Sequence, residues 1–365
     1  MGKKIIRTVL GDIEPEKLGF TSMHEHVMFY GAVLAKRMRP SLPPNDLALK
    51  EDDKVDITNV GRLIDNSILS YDALIQDDTE TMVGECIDFK RDGADSILEL
   101  SVPGLSINMG SLKEISLRSG LNIIASTGFY TSDSWPKELC DRAESFYQRH
   151  METEIERGIT GTDIRPGSLK IALNSLDPME EKALRAAGRI SRDTGLPLTI
   201  HPCERIGGDR MRVVRILREE GTDLRKVVLA HTKVEKKPVS FAEAMYRPEL
   251  YEVSVDEAER LFDTGINLCF ELQNTLGFEM NGEGHYGEYG KLAGIYQLIK
   301  KGYTDQMVLG NDVCGRTMLR RSGGMGYMRL TTYVIPALLE AGVSSKDMDI
   351  ITKVNPARIL AVDNI

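Results

Sequence analysis

Leu18-Gly19-Phe20-Thr21-Ser22-Met23-His24-Glu25-His26-Val27 decides how the rest of the chain is read. The apolar start predicts a first β-strand, and side chains on a strand alternate between faces. His24 and His26 therefore point the same way, and both imidazoles can reach one ion. With 6 His in 365 residues, chance supplies roughly 0.1 such pairs per chain. Taken alone, the pair fits metal ligation and two half-buried strand-end histidines equally well. The rest of the chain decides between them.

Working outward, apolar runs end near Met23, Leu100, Ser126, Ala172, His201, His231, Glu271 and Asp312, with helical patterns between them. One helix is predicted over Met179–Arg192, with Leu184, Ala187 and Ile190 on one face and Gly195 as its cap. Ser254-Val255-Asp256-Glu257 reads as a capping box opening another helix, which stops at Gly265. Eight strand–helix repeats predict an α/β fold, a (β/α)8 TIM barrel, over an open doubly wound sheet. Polar residues recurring at strand ends around the whole set favour the barrel. Such a barrel needs about 250 residues. The surplus is expected as long βα-loop insertions after strands 1 and 7, at 30–76 and 273–290. No linker or internal repeat divides the chain, so 1–365 is expected to form one domain.

Composition narrows the function. The net charge of -9 excludes nucleic acid as the main partner. Five scattered cysteines with no C-x-x-C pair suggest reduced thiols and a cytoplasmic setting. No run approaches the roughly 20 apolar residues of a membrane span.

The strand ends carry the chemistry. His201 ends strand 5, His231 ends strand 6 and Asp312 ends strand 8. Lys170 sits inside the apolar run Gly167–Leu173, read as a strand, where a parallel barrel buries both faces. A buried ammonium is costly and tends to lose its proton. Lys170 can snorkel, pair with a carboxylate, or react with carbon dioxide to give a carbamate that bridges two metals. His24, His26, Lys170, His201, His231 and Asp312 would share the C-terminal face of a barrel, where active sites form. They suffice for two divalent ions, zinc first, with manganese, cobalt or iron as alternatives. Two ions can share a hydroxide, and Asp312 would bind metal and accept its proton. His150, in a helical pattern, and His285, in a glycine-rich loop, are expected at the surface.

The set resembles the phosphotriesterase-related family of the amidohydrolase superfamily. The resemblance rests on Gly19-x-Thr21-x-x-His24-Glu25-His26-Val27, then Lys170, His201, His231 and Asp312 in the family's order. Gly323-Gly324-Met325-Gly326-Tyr327 and Asn355-Pro356-Ala357-Arg358 continue it. It implies His24, His26 and Asp312 at one metal, His201 and His231 at the other, with carbamylated Lys170 and hydroxide bridging. It also implies a homodimer, and hydrolysis of lactones, carboxylic esters, phosphotriesters or amides. Tyr130 matches the family's substrate-facing tyrosine; Lys233 and Gln273 are further candidate substrate contacts. The chain departs from phosphotriesterases proper after strand 6: His231-Thr232-Lys233-Val234 replaces an acidic run, so that proton relay is absent or rebuilt around Glu235. Lys233, Arg316, Arg320 and Arg321 are candidate anion contacts, with a solvated surface role ranked first for each. A lactone opens to an alkoxide that a metal stabilises directly, without a separate acid. The expected activity is therefore a lactonase or carboxylic esterase. The alternatives are a phosphotriesterase, an N-acyl amidase, or a ligand-binding protein of the same fold.

Overall fold

The alternating apolar runs become parallel strands. The computed structural model describes residues 3–31, 33, 49–65, 67–105, 108–202, 210–232, 235–236, 253–272 and 288–364. The strands are β1 (Thr21–Glu25), β2 (Ser96–Glu99), β3 (Asn122–Ile124 continuing as Ser126–Phe129), β4 (Ser168–Leu173), β5 (Leu198–Pro202), β6 (Val227–Leu229), β7 (Asn267–Glu271) and β8 (Met307–Gly310). Neighbours in sequence pair in parallel from β1 to β8. β3 breaks at Ala125: its first part pairs with β2 and its second with β4. It therefore runs to Phe129, past the end expected at Ser126. The ring comes full circle where β8 meets β1. The Asp312 amide donates to the His24 carbonyl at 2.8 Å, and a Cβ on Gly310 would lie 2.7 Å from that of His24. Only glycine allows that approach.

Inside the ring, Met23, Leu98, Ile124, Val228, Cys269 and Val308 form a buried apolar layer. This is the packed interior that closed parallel barrels require. Helices α1 (Thr79–Arg91), α2 (Met109–Ser119), α3 (Glu144–Arg157), α4 (Pro178–Thr194), α5 (Arg210–Glu219), α6 (Asp256–Phe262) and α7 (Glu288–Lys300) follow the strands. A larger core cluster joins helix to strand.

α4 matches expectation closely. Asp177 caps its start, Pro178 occupies the first turn, Leu184, Ala187 and Ile190 are buried, and Gly195 takes the left-handed conformation at its end. The capping box does not form. Ser254 is drawn into a ribbon, Val253–Ser254 against Glu235–Lys236, and Val255 takes the cap position of α6 without a side-chain bond.

The first insertion is pinched at its base by a second ribbon, Phe29–Tyr30 against Ile75–Gln76. The expected strand-7 insertion lies outside the described residues through 287. Strands Lys4–Thr8, Gly11–Ile13 and Val362–Asp363 form one sheet near the N-terminal ends of the barrel strands. There Lys226 donates to the carbonyls of Arg358, Ile359 and Ala361 at 3.1, 2.8 and 2.5 Å.

Candidate metal centre

At the C-terminal mouth the strands deliver their polar ends to one point. His24 Nε2 lies 3.5 Å and His26 Nε2 3.2 Å from Asp312 Oδ1. His231 Nε2 lies 3.9 Å from Asp312 Oδ2, and Lys170 Nζ reaches His24 Nε2 at 3.5 Å. His24, His231 and Asp312 each offer a ligand atom within 4.8 Å of the others. His201 enters through His231, ring centroids 4.2 Å apart, and Tyr130 packs on His201 at 5.7 Å. The structure thus gathers His24, His26, Lys170, His201, His231, Asp312 and Tyr130. Lys233, Gln273 and His285 lie outside the described residues, as does the side chain of Glu235.

Partners behind the cluster aim the His24 and His26 imidazoles, and no local pattern in the sequence marks them as partners. Glu271 Oε1 takes His24 Nδ1 at 2.7 Å, and its Oε2 accepts the His231 backbone amide at 2.6 Å. Ser101 Oγ bonds His26 Nδ1 at 2.9 Å. With Nδ1 engaged, the Nε2 lone pairs are turned toward Asp312, as metal-ligating histidines need. Cys269 groups with His24 and Glu271 as well. That grouping leaves Glu271 on the far side of His24, already hydrogen-bonded, so Cys269 and Glu271 act as supports.

Glu25 faces away from its two neighbours and grips β8. It accepts from the Asn311 amide at 3.0 Å, Asn311 Nδ2 at 2.7 Å and the Val313 amide at 3.0 Å. Asp312, held between those two, adopts φ 54, and His231 φ 51. Such left-handed backbone at non-glycine residues costs energy and clusters at functional sites.

Electrostatics follow from burial. Lys170 is fully buried. Desolvation pushes its ammonium down to about 8, against the pull of Asp312 and Glu271. Burial, helped by Lys170, holds His24 well below its ordinary value; burial and His201 do the same for His231. Burial raises the Asp312 carboxyl, but His24, His26 and Lys170 outweigh it and keep the group below the usual range. Glu271 rises to about 7 by burial and the nearness of Asp312.

The residues fit a cationic metal centre on two orphaned atoms. His231 Nε2 is buried and lacks a hydrogen-bond partner among the described residues. So does the hydroxyl of Thr199, the register partner of Lys170. Buried polar atoms are rarely left unpaired. A cation would satisfy the imidazole, and an acceptor on Lys170 would satisfy the hydroxyl.

Of the residues expected at the surface, Arg320 and Arg321 are exposed, whereas His150 and Arg316 are not. His150 is half-buried rather than at the surface: it lies on α3 with its ring 5.2 Å from that of Phe129. Arg316 pairs with Asp72 and Asp77, Arg320 with Asp88, and Arg321 with Glu85 and Asp88. These arginines tie the segment after β8 to its neighbours.

Comparison with known proteins agrees with this architecture. The phosphotriesterase family model matches residues 4–360. A phosphotriesterase-related protein of Nematostella vectensis is 29% identical over 365 residues, covering 98% of each chain. An N-acetyltaurine hydrolase of Pongo abelii is 28% identical, covering 97% of each. Among solved structures, a resiniferatoxin-binding protein from Rhodobacter sphaeroides superposes with TM-score 0.82 at 26% identity, over 98% of this chain and 94% of that one. A Listeria monocytogenes lactonase gives 0.74 at 22%, over 98% of both. With its motifs, barrel and matched length together, the chain belongs to the phosphotriesterase family.

Proposed function

We propose that the protein is a binuclear metal hydrolase attacking a carboxyl carbon, that of a lactone or another carboxylic ester. The observation that carries this reading is the convergence of three Nε2 atoms and Lys170 Nζ around Asp312, with His231 Nε2 buried and unpartnered. His24, His26, His201, His231, Asp312 and Lys170 would hold two divalent ions, zinc first. When bound, the ions supply a water of lowered pKa and polarise the substrate carbonyl. Asp312 takes the proton of the attacking water on a carboxylate oxygen and returns it to the leaving group. Glu271 and Ser101 keep His24 and His26 in the ligating tautomer. Tyr130, packed on His201, and Lys233 and Gln273, which follow β6 and β7 in sequence, would position the substrate.

Lys170 would carry a carbamate. Its neutral Nζ attacks carbon dioxide, an N–C bond forms, and the amine proton leaves to water. Burial favours the neutral amine, and the Thr199 hydroxyl would find its acceptor. Lys170→Ala should lose activity and recover part of it with short carboxylic acids. A plain ammonium at Lys170 in metal-loaded, active protein would refute the carbamate.

A second reading, hydrolysis of an N-acyl amide, is favoured by relatives named N-acetyltaurine hydrolases at 25–28% identity over nearly the full length. The test compares kcat/KM for lactones, aryl esters, N-acetyltaurine and a phosphotriester at one metal loading. A tenfold advantage, about 1.4 kcal/mol of transition-state preference, assigns the bond. A triester leading every carboxyl substrate by that margin would overturn the proposal, and an amide leading would replace the ester.

A further inference from the structure

His231 is aimed differently from the two histidines of β1. His24 and His26 each have the ring set from behind, through an Nδ1 bond to Glu271 or Ser101. His231 Nδ1 stands 3.9 Å from Glu271 Oε2, beyond hydrogen-bond distance. What orients this imidazole must therefore act through its backbone.

That backbone is one of the strained ones, with φ 51. A left-handed non-glycine residue persists only where its surroundings over-determine it. Here both polar groups of His231 are gripped by side chains. Its amide donates to Glu271 Oε2 at 2.6 Å. Its carbonyl accepts from Arg210 Nη2 at 2.7 Å. A guanidinium stays charged at any ordinary pH, and a hydrogen bond from a charged donor is stronger and shorter than a neutral one.

Arg210 opens α5 and is 7% exposed. Its other terminal nitrogen, Nη1, lies 3.9 Å from Glu257 Oε2 of α6 and is buried without a hydrogen bond of its own among the described residues. A buried charge paired this lightly is a poor stabiliser of the fold. What it does secure is the backbone of a candidate metal ligand, from the side opposite Glu271.

We propose that Arg210 is a positioning residue. By holding the His231 carbonyl it keeps His231 in its left-handed conformation, and so sets the affinity of the ion that His201 and His231 would share. The other ion's ligands are set by Glu271, Ser101 and Glu25, so Arg210 acts on one ion of the two. The inference rests on the binuclear reading above.

The test strips the full chain of metal and titrates it with cobalt(II), followed by visible absorption, which reports ligand geometry as well as occupancy. Arg210→Met should weaken one ion roughly tenfold or more, as loss of an indirect partner of a metal ligand does, and change its absorption band. The other ion should bind as in the unaltered protein. Anomalous scattering from cobalt-loaded crystals should show the loss between His201 and His231, with the ion at His24, His26 and Asp312 retained. Arg210→Lys keeps a charged donor and should restore most of the affinity and the original band. Arg210→Gln, with a neutral donor, should show a smaller loss at the same ion, and it decides the matter if the methionine variant does not fold. Equal weakening of both ions, unchanged binding in the methionine or glutamine variant, or a lysine variant as impaired as the methionine one would each overturn the role of Arg210. Uptake of fewer than two ions by the unaltered protein would instead overturn the binuclear reading, and this inference with it.

Discussion

Glu25 stands between two histidines and serves neither directly. Its carboxylate accepts both amides that flank Asp312, so it sets where the one carboxylate of the cluster points. Glu25→Ala should leave two buried amides unsatisfied and loosen Asp312. Loss of such an indirect partner typically costs 10- to 100-fold in metal affinity or activity. Chelator competition should show that weakening, with Glu25→Gln intermediate because it keeps one carbonyl acceptor. His231→Ala removes a ligand outright. It should lower the metal content below two per chain by elemental analysis and cut kcat steeply. At this scale the sequence was legible in part. His24, His26, Lys170, His201, His231 and Asp312 stand out because each is a polar group at or near the end of an apolar run. Glu271 also ends an apolar run and Ser101 follows one, yet nothing local tells a supporting group from a ligand. A supporting carboxylate or hydroxyl has no local pattern, and Glu271 meets His24 across 247 positions of chain.

At the scale of elements, close approach between strands constrains the site. Gly128 in β3 has φ 140, and a Cβ there would lie 1.9 Å from the Lys170 carbonyl oxygen. Gly128→Ala must therefore push β4 away and take Lys170 with it. Expected are a stability loss of roughly 3 kcal/mol, at the top of the overpacking range, and a weaker metal-binding step, read by denaturant titration and metal titration together. α4 gives a milder case. Asp177 accepts from the Met179 and Glu180 amides at 2.8 and 3.0 Å. Asp177→Ala should cost about 1 kcal/mol and lower the melting temperature slightly, leaving metal content unchanged. The boundaries of α4 were readable because cap, face and terminating glycine all agree. The start of α6 was misread because Ser254 has a competing partner in the ribbon with Glu235–Lys236, and no local rule weighs a tertiary strand pair against a cap.

For the molecule as a whole, the mouth of the barrel concentrates buried charge: Lys170, Asp312 and Glu271 are all at most 5% exposed. Metal ions should therefore stabilise the fold as well as enable chemistry. A site occupied at about 1,000 times its Kd adds roughly 4 kcal/mol. Dialysis against chelator should lower the melting temperature by several degrees, and adding back zinc should restore it. An unchanged melting curve after verified metal loss would count against ligation at this cluster. The global architecture was legible because eight apolar runs alternate with helical patterns and polar residues recur at the strand ends. The surplus length was placed less fully. Besides the two expected insertions, the segment after β8 forms much of a cavity lined by Leu74, Leu272 and Asn311, and nothing in its composition marks it as a wall.

The barrel's seam also sets the order in which this protein can come into being. Glu25 and Asn311 join across 286 positions of chain, among the costliest loop closures the molecule makes. A chain still lacking β8 already carries His24, His26, His201 and His231, yet it has neither Asp312 nor the amides that Glu25 holds. Tight metal capture is thereby deferred until the last strand has docked. Uptake of metal during refolding should track the slowest folding phase, so the ion reports that the ring is finished.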